Sequence, residues 1–272
     1  MTESAQPGSA QTGSAQPGPA FPAERTAVLT GVGSANGIGR HTAHRLAEAG
    51  WNLGLIARRE DEATALAAEL TAAHGIAARG AGVDVTDSTA IAEAAAAFES
   101  DLPQIVALAN FAGVSSSVTY FEITDDEWAR VIANNLTATH LVTQAFGRIM
   151  AANGLGRIVG LSSVTAQKGG GTFSKTAYAA AKAGIIGLMR GVALELGPHG
   201  VTANTIAPGP VDTDIMGGPL DDARRDAMGA ATPLGRISVP EDVSATVAFL
   251  ISEGAGHITG QTLSINGGLY FH

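Results

Sequence analysis

The chain has no cysteine, and only three tyrosines and three lysines among its 272 residues. Without cysteine there is no disulfide scaffold, no thiol nucleophile and no thiolate metal site. Basic residues are few: 16 against 25 acidic ones, for a net charge of −9. That balance argues against a nucleic-acid binder, because phosphate binding needs a basic surface. No uncharged apolar run reaches the ~18 residues of a membrane span, so a membrane protein is not expected. The start lacks the basic stretch and apolar run of a secretory signal, and together with the absent cysteine this predicts a cytoplasmic protein. What is present is 45% hydrophobic residues and 35 glycines, enough for one large α/β domain or two small ones.

The first 24 residues read differently from the rest. Ser4-Ala5-Gln6-Pro7-Gly8, Ser9-Ala10-Gln11-Thr12-Gly13 and Ser14-Ala15-Gln16-Pro17-Gly18 repeat one pentad. Such a composition has little to bury against the entropy of ordering it, which predicts a disordered tail over 1–24 and a folded domain over 25–272. Within that domain, apolar runs at 26–30, 52–56, 105–109, 157–161, 201–206 and 262–265 predict at least six strands. Continuous apolar runs belong to strands covered on both faces, as in a parallel sheet. Ala/Leu/Glu-rich stretches such as 41–49, 61–74 and 88–98 alternate with them as helices. The expected fold is a single doubly wound α/β sheet of Rossmann type, with chemistry at the carboxyl ends of its strands.

The first strand runs into Thr30-Gly31-Val32-Gly33-Ser34-Ala35-Asn36-Gly37-Ile38-Gly39 and then a helix. Missing side chains let a backbone approach a pyrophosphate, and a helix start offers it free N–H groups, so Gly31, Gly33, Asn36, Gly37, Ile38 and Gly39 are candidate dinucleotide contacts. After the second strand come Ala57, Arg58 and Arg59, where an acidic residue would bond the ribose 2′-hydroxyl of NAD. Arginine there suits a 2′-phosphate, so NADP(H) is the expected cofactor, with Arg58 the main partner, Arg59 its helper, and NAD(H) the alternative. The competing reading pairs one of these arginines with Glu60 or Asp61. Tyr178 and Lys182 lie at i and i+4, one helical face. A nearby ammonium, with the positive nicotinamide ring of an oxidised cofactor, favours phenolate and should pull the phenol down toward use as an acid–base group. Upstream, Ser162 and Ser163 end a strand, and a hydroxyl there can bond a carbonyl oxygen as charge develops on it. His41 and His44 sit at i, i+3 without a third ligand at metal spacing, so no metal site is expected.

Taken together, these motifs resemble the short-chain dehydrogenase/reductase family over about residues 25–271, most of all its 3-oxoacyl-(acyl-carrier-protein) reductase branch. The glycine loop fits that family's TGxxxGxG in two ways: with Gly33 as the first glycine, or with Thr30-Gly31 as the matching pair and two extra residues. By resemblance Asp84 and Val85 meet the adenine, and Asn110, Ala112 and Gly113 follow the fourth strand, with Phe111 where the family has asparagine. The resemblance implies a catalytic set of Asn135, Ser163, Tyr178 and Lys182, with Asn134 the neighbouring rival to Asn135. Ser163 precedes Tyr178 by two residues more than is usual, and the extra length falls in 167–171. Pro208, Gly209, Val211 and Thr213 match the turn that fixes the nicotinamide, and 214–232 the substrate lid, where Arg224 and Arg225 could meet an acidic carrier. The implied activity is reversible reduction of a ketone to a secondary alcohol, on a 3-oxoacyl thioester or on a sugar, steroid or terpenoid alcohol. The rival class is a cofactor-binding protein without turnover. The family also implies a homotetramer built on two long helices and the C-terminal strand.

Overall fold

The computed structural model describes residues 19–171, 174–216 and 220–271. Seven parallel strands form one sheet: β1 (Thr26–Thr30), β2 (Asn52–Ala57), β3 (Ala78–Gly82), β4 (Ile105–Asn110), β5 (Gly156–Leu161), β6 (Val201–Pro208) and β7 (Thr262–Ile265). Their order is β3-β2-β1-β4-β5-β6-β7, so the direction of winding reverses between β1 and β4. Helices occupy the connections: α1 (Ile38–Glu48), α2 (Glu60–His74), α3 (Ser88–Asp101), α4 (Asp125–Ile132), α5 (Ala138–Ala152), α6 (Val164–Lys168), α7 (Thr176–Leu196), α8 (Asp222–Gly229) and α9 (Pro240–Leu250). The fold is the single Rossmann-type sheet that the sequence predicts.

The apolar runs are continuous because each strand feeds two cores. In β1, Ala27 and Leu29 point to a layer made with Leu46, Leu66, Leu70 and Val247 of α1, α2 and α9. Val28 points the other way, to Phe98, Phe146 and Met189 of α3, α5 and α7. Successive side chains in a strand alternate faces, so only a doubly covered strand is apolar at every position. The strand β3 breaks this pattern. Its sequence, Ala-Arg-Gly-Ala-Gly, has no apolar run because it is the sheet's edge and is only half-buried. A Cβ at Gly80 would collide with the backbone of Ala63 in α2, so the small residues let helix and strand close up.

With its closing turn, α7 is the one described helix long and apolar enough to cross a membrane (Thr176–His199). Here Ala181, Ile185 and Met189 are buried beside β5 and β6, and the helix is a layer of the α/β sandwich. Residues 19–25 enter along the opposite edge of the sheet from the strand C-termini. Phe21 packs edge-on against Trp51 at 5.8 Å, its N–H donates to Glu253 at 2.7 Å, and Arg157 stacks over its ring at 5.1 Å. Trp51 and Arg157 stand at the beginnings of β2 and β5, which fixes this contact to the strands' amino ends.

Candidate active site

The reversal between β1 and β4 puts two loops side by side above the sheet, the place where open α/β sheets hold ligands. Gly31 has φ +70°, and a Cβ on it would come within 2.7 Å of the Ala112 nitrogen. A Cβ on Gly39 would meet the Gly31 carbonyl oxygen at 2.6 Å. Only bare backbone fits between β1, β4 and the start of α1. The Thr30 hydroxyl completes the seam, accepting from the N–H groups of Phe111 at 3.0 Å and Ala112 at 3.1 Å. Phe111 is buried in the core, so a hydroxyl on β1 joins these strands where the family asparagine is missing. Thr30-Gly31 thus stands at the strand end, and Ser34–Asn36 form a turn within the five residues between Gly31 and Gly37.

A cavity of about 470 Å³ opens beside this loop, bordered by Gly33, Ala57, Arg58, Glu62, Asp84 and Val85. Two glycines that no side chain could replace, next to the free start of α1, are the cradle a dinucleotide phosphate requires. The two arginines differ in their engagements. The Arg59 guanidinium forks onto Asp61, at 3.1 and 2.6 Å, and also reaches Glu62 at 3.3 Å. This is the pairing set against the helper role in the sequence reading. Arg58 makes no ion pair among the described residues, and its charge helps hold the Asp84 carboxyl below the usual range, after the bonds from Thr86. Asn36 turns away from this cavity: its side chain donates to the Asp212 carbonyl at 2.9 Å. Gly37 and Ile38 lead into α1 below the turn.

Next to the reversal, β5 delivers Ser162 and Ser163. Ser162 is buried and donates to the Lys182 carbonyl at 2.7 Å, which docks α7 on the strand end. Ser163 caps α6, accepting from the Thr165 N–H at 3.1 Å, and it also hydrogen-bonds the Tyr178 hydroxyl. On α7, Tyr178 and Lys182 share one face, with Nζ 5.5 Å from the centre of the phenol ring. The ammonium donates to the Leu161 carbonyl at 2.8 Å and is 2% exposed. Asn135 is fully buried in a π-turn, Ala133–Thr137, between α4 and α5. Its amide donates to the Val131 carbonyl at 2.9 Å and the Val114 carbonyl at 3.0 Å, and its Oδ1 has no partner among the described residues. A Cβ at Gly113 would stand 3.5 Å from Lys182 Nζ and nearer still to Asn135 Oδ1, so both groups converge on the β4 loop. Asn134 instead folds back on the Arg130 carbonyl. The buried Asn110 reaches Thr143 at 3.1 Å.

Electrostatically the pair departs from expectation. Burial pushes the Tyr178 phenol up to about 12, with the Ser163 bond drawing it back, and burial pushes the Lys182 ammonium down to about 7. The sequence predicts a phenol lowered by its ammonium neighbour together with the positive ring of a bound oxidised nicotinamide. In the protein alone desolvation wins, because the same burial strips the amine of much of its charge near neutrality.

A second cavity, of about 390 Å³, is lined by Ser163, Tyr178, Gly209 and Val211 together with Ser115, Ser174, Met228 and Leu269. Pro208 ends β6 and Thr213 is buried just beyond the turn. Ser115, Ser174 and Leu269 are site residues that the sequence does not single out, whereas Met228 falls within the expected lid over 214–232 and Thr30 within the loop motif. Among the described residues no group of three or more histidines and acids is placed to hold a metal. His41 instead meets Glu241 at 2.8 Å.

The family model described as "Enoyl-(Acyl carrier protein) reductase" matches residues 31–270. A short-chain type dehydrogenase/reductase of Sinorhizobium fredii is 36% identical over 248 residues, covering 91% of this chain and 98% of that one. The chain belongs to the short-chain dehydrogenase/reductase family. Short-chain dehydrogenases/reductases are oxidoreductases that use a nicotinamide cofactor, and the motif resemblance is therefore one of descent. The short-chain reductase protein NovJ of Streptomyces niveus is 38% identical over 252 residues, 90% of this chain and 94% of that protein. The 3-oxoacyl-[acyl-carrier-protein] reductase FabG of Escherichia coli is 34% identical over 238 residues, 88% and 95% respectively.

Proposed function

We propose that this protein is an NADP(H)-dependent reductase that interconverts a ketone and a secondary alcohol, with 3-oxoacyl thioesters as its substrate class. The observation that carries the proposal is the phenol and amine on one face of α7, with Ser163 bonded to the phenol at the wall of the second cavity. When bound, the nicotinamide supplies or accepts the hydride. Tyr178 gives its proton to the substrate oxygen in reduction and takes it back in oxidation. Ser163 orients that oxygen and donates to it as negative charge grows. Lys182, desolvated and held by the Leu161 carbonyl, sets the charge beside the phenol, and Asn135 orders the proton path from Lys182. Arg58 is the 2′-phosphate contact, and Arg59 reaches the phosphate only by leaving Asp61. Val211 and Thr213 hold the nicotinamide.

The thioester preference is supported by the relatives named as 3-oxoacyl-[acyl-carrier-protein] reductases and by a cavity of the size that takes a small ligand. Assembly as a homotetramer is supported by the groove that α5 and α7 form with Leu188, Val192 and Leu196 in its wall. A cytoplasmic location belongs to the same proposal, supported by the likeness to that branch of the family.

Tyr178→Phe tests the reaction. Turnover of a β-keto thioester, followed by NADPH absorbance, should fall at least about 100-fold, the usual contribution of a positioned acid. NADPH binding should stay within about threefold, since the ring remains. A variant that keeps most of its kcat removes Tyr178 as the proton donor. Wild-type protein that binds NADPH yet turns over no ketone or alcohol in a broad screen would favour a binding protein instead.

A further inference from the structure

The Ser34–Asn36 turn of the glycine loop meets a distant partner. Ser34 donates its hydroxyl to Asp214 Oδ2 at 2.6 Å, and the Asn36 N–H donates to the same oxygen at 3.2 Å. Alongside, the Asn36 side chain donates to the Asp212 carbonyl at 2.9 Å. These bonds join residues 176 to 180 positions apart. They also cross the crevice. β1 and β6 are separated by β4 and β5, three strand spacings or roughly 14 Å. A link from the β1 loop to the segment after β6 therefore arches over the strand ends between them. The far footing is anchored as well: Arg225 of α8 donates to the Asp212 carboxylate at 2.7 Å, and Ser115 donates to the Ile215 carbonyl at 3.3 Å.

We propose that Asp214 is a positioning residue for the cofactor: its carboxylate clasps the Ser34–Asn36 turn across the crevice, and dinucleotide enters and leaves when the clasp opens. This rests on the dinucleotide-site reading given above. The turn lies in the stretch between Gly31 and Gly37, which with Thr30-Gly31 as the matching pair is two residues longer than the pattern, and it supplies both donors of the clasp. One carboxylate oxygen accepting two hydrogen bonds is a charge-assisted arrangement, and its loss should change the opening rate roughly tenfold, about 1.4 kcal/mol. A clasp of this kind speeds neither hydride nor proton transfer. It sets cofactor exchange, which limits turnover in many enzymes with closing loops.

The test uses the full chain and NADPH as the probe. Stopped-flow fluorescence gives the NADPH association rate, and displacement by excess NADP+ gives its release rate. Asp214→Ala should release NADPH about tenfold faster than wild type. Asp214→Asn keeps an acceptor at the same point and should stay within about threefold. Ser34→Ala, at an exposed hydroxyl, should speed release by a smaller factor, and Asp214→Ala/Ser34→Ala should be no faster than Asp214→Ala alone. Release rates within twofold of wild type in both single variants would overturn the clasp, as would fully additive effects. Wild-type protein that binds neither NADPH nor NADH would overturn the dinucleotide site itself, an outcome distinct from normal binding with unchanged exchange.

Discussion

Lys182→Met isolates the cost of burying an amine in this site. The side chain is 2% exposed, and burial lowers the ammonium from its ordinary 10.5 to about 7. Between those values the unfolded chain holds a proton that the native protein does not, so native stability rises with pH across the window. As pH falls from 10.5 the contribution is withdrawn, and below 7 both states are protonated and the withdrawal is complete. One proton gives at most about 1.4 kcal/mol per pH unit, and over the window on the order of 4 kcal/mol. In a domain of this length, 1 kcal/mol moves the Tm by about 2–4 °C, so wild type should gain roughly 3–6 °C per pH unit from this group. Methionine keeps the volume and loses the charge, while the Leu161 carbonyl loses its donor at a pH-independent cost of about 1–3 kcal/mol. The difference in Tm, variant minus wild type, should therefore fall steadily from pH 7 to pH 10. Differential scanning fluorimetry of both proteins in matched buffers reads that difference, and every other titrating group cancels from it. A difference that stays constant with pH would refute the reasoning, since a solvated Lys182 that holds its proton equally in the native and unfolded states predicts just that.

Two further outcomes follow from the geometry. Arg58→Ala should raise KM for NADPH at least tenfold and KM for NADH much less, because a guanidinium contact to phosphate is charge-assisted; equal shifts for both cofactors, in steady-state assays, would take Arg58 out of the phosphate site. Phe21→Ala should lower the Tm by several degrees through loss of its contacts with Trp51 and Arg157, with kcat unchanged; a variant with wild-type melting would mean that the segment adds nothing to stability.

How much could be seen in the sequence depends on whether a signal is local. Five strands, β1, β2, β4, β5 and β6, announce themselves because they are covered on both faces; the edge strand β7 is legible only from its alternating Leu263 and Ile265, and β3, the other edge, is hidden because its contact with α2 asks for small residues. Tyr178 and Lys182 are visible as a pair because a helical turn brings them together, and Gly31 and Gly39 because bare backbone is the only thing that fits. Other features are pairings through space. Nothing near Arg59 in the chain decides between a ligand phosphate and Asp61; in the fold its guanidinium lies against Asp61 and Glu62 of the α2 start. The π-turn that carries Asn135 has no sequence period of its own. Leu269, which lines the second cavity, comes from beyond the last strand, and its role depends on how the C-terminus folds back. The raised phenol could not be read at all, since burial is a property of the assembled site.

The seating of Phe21 bears on how this protein can be handled. Strands of five or six residues hold the two edges of the sheet about 17–20 Å apart, and the chain joins the domain at the edge away from the substrate mouth. A tag, dye or second enzyme attached upstream is therefore joined to the domain on the side opposite the catalyst.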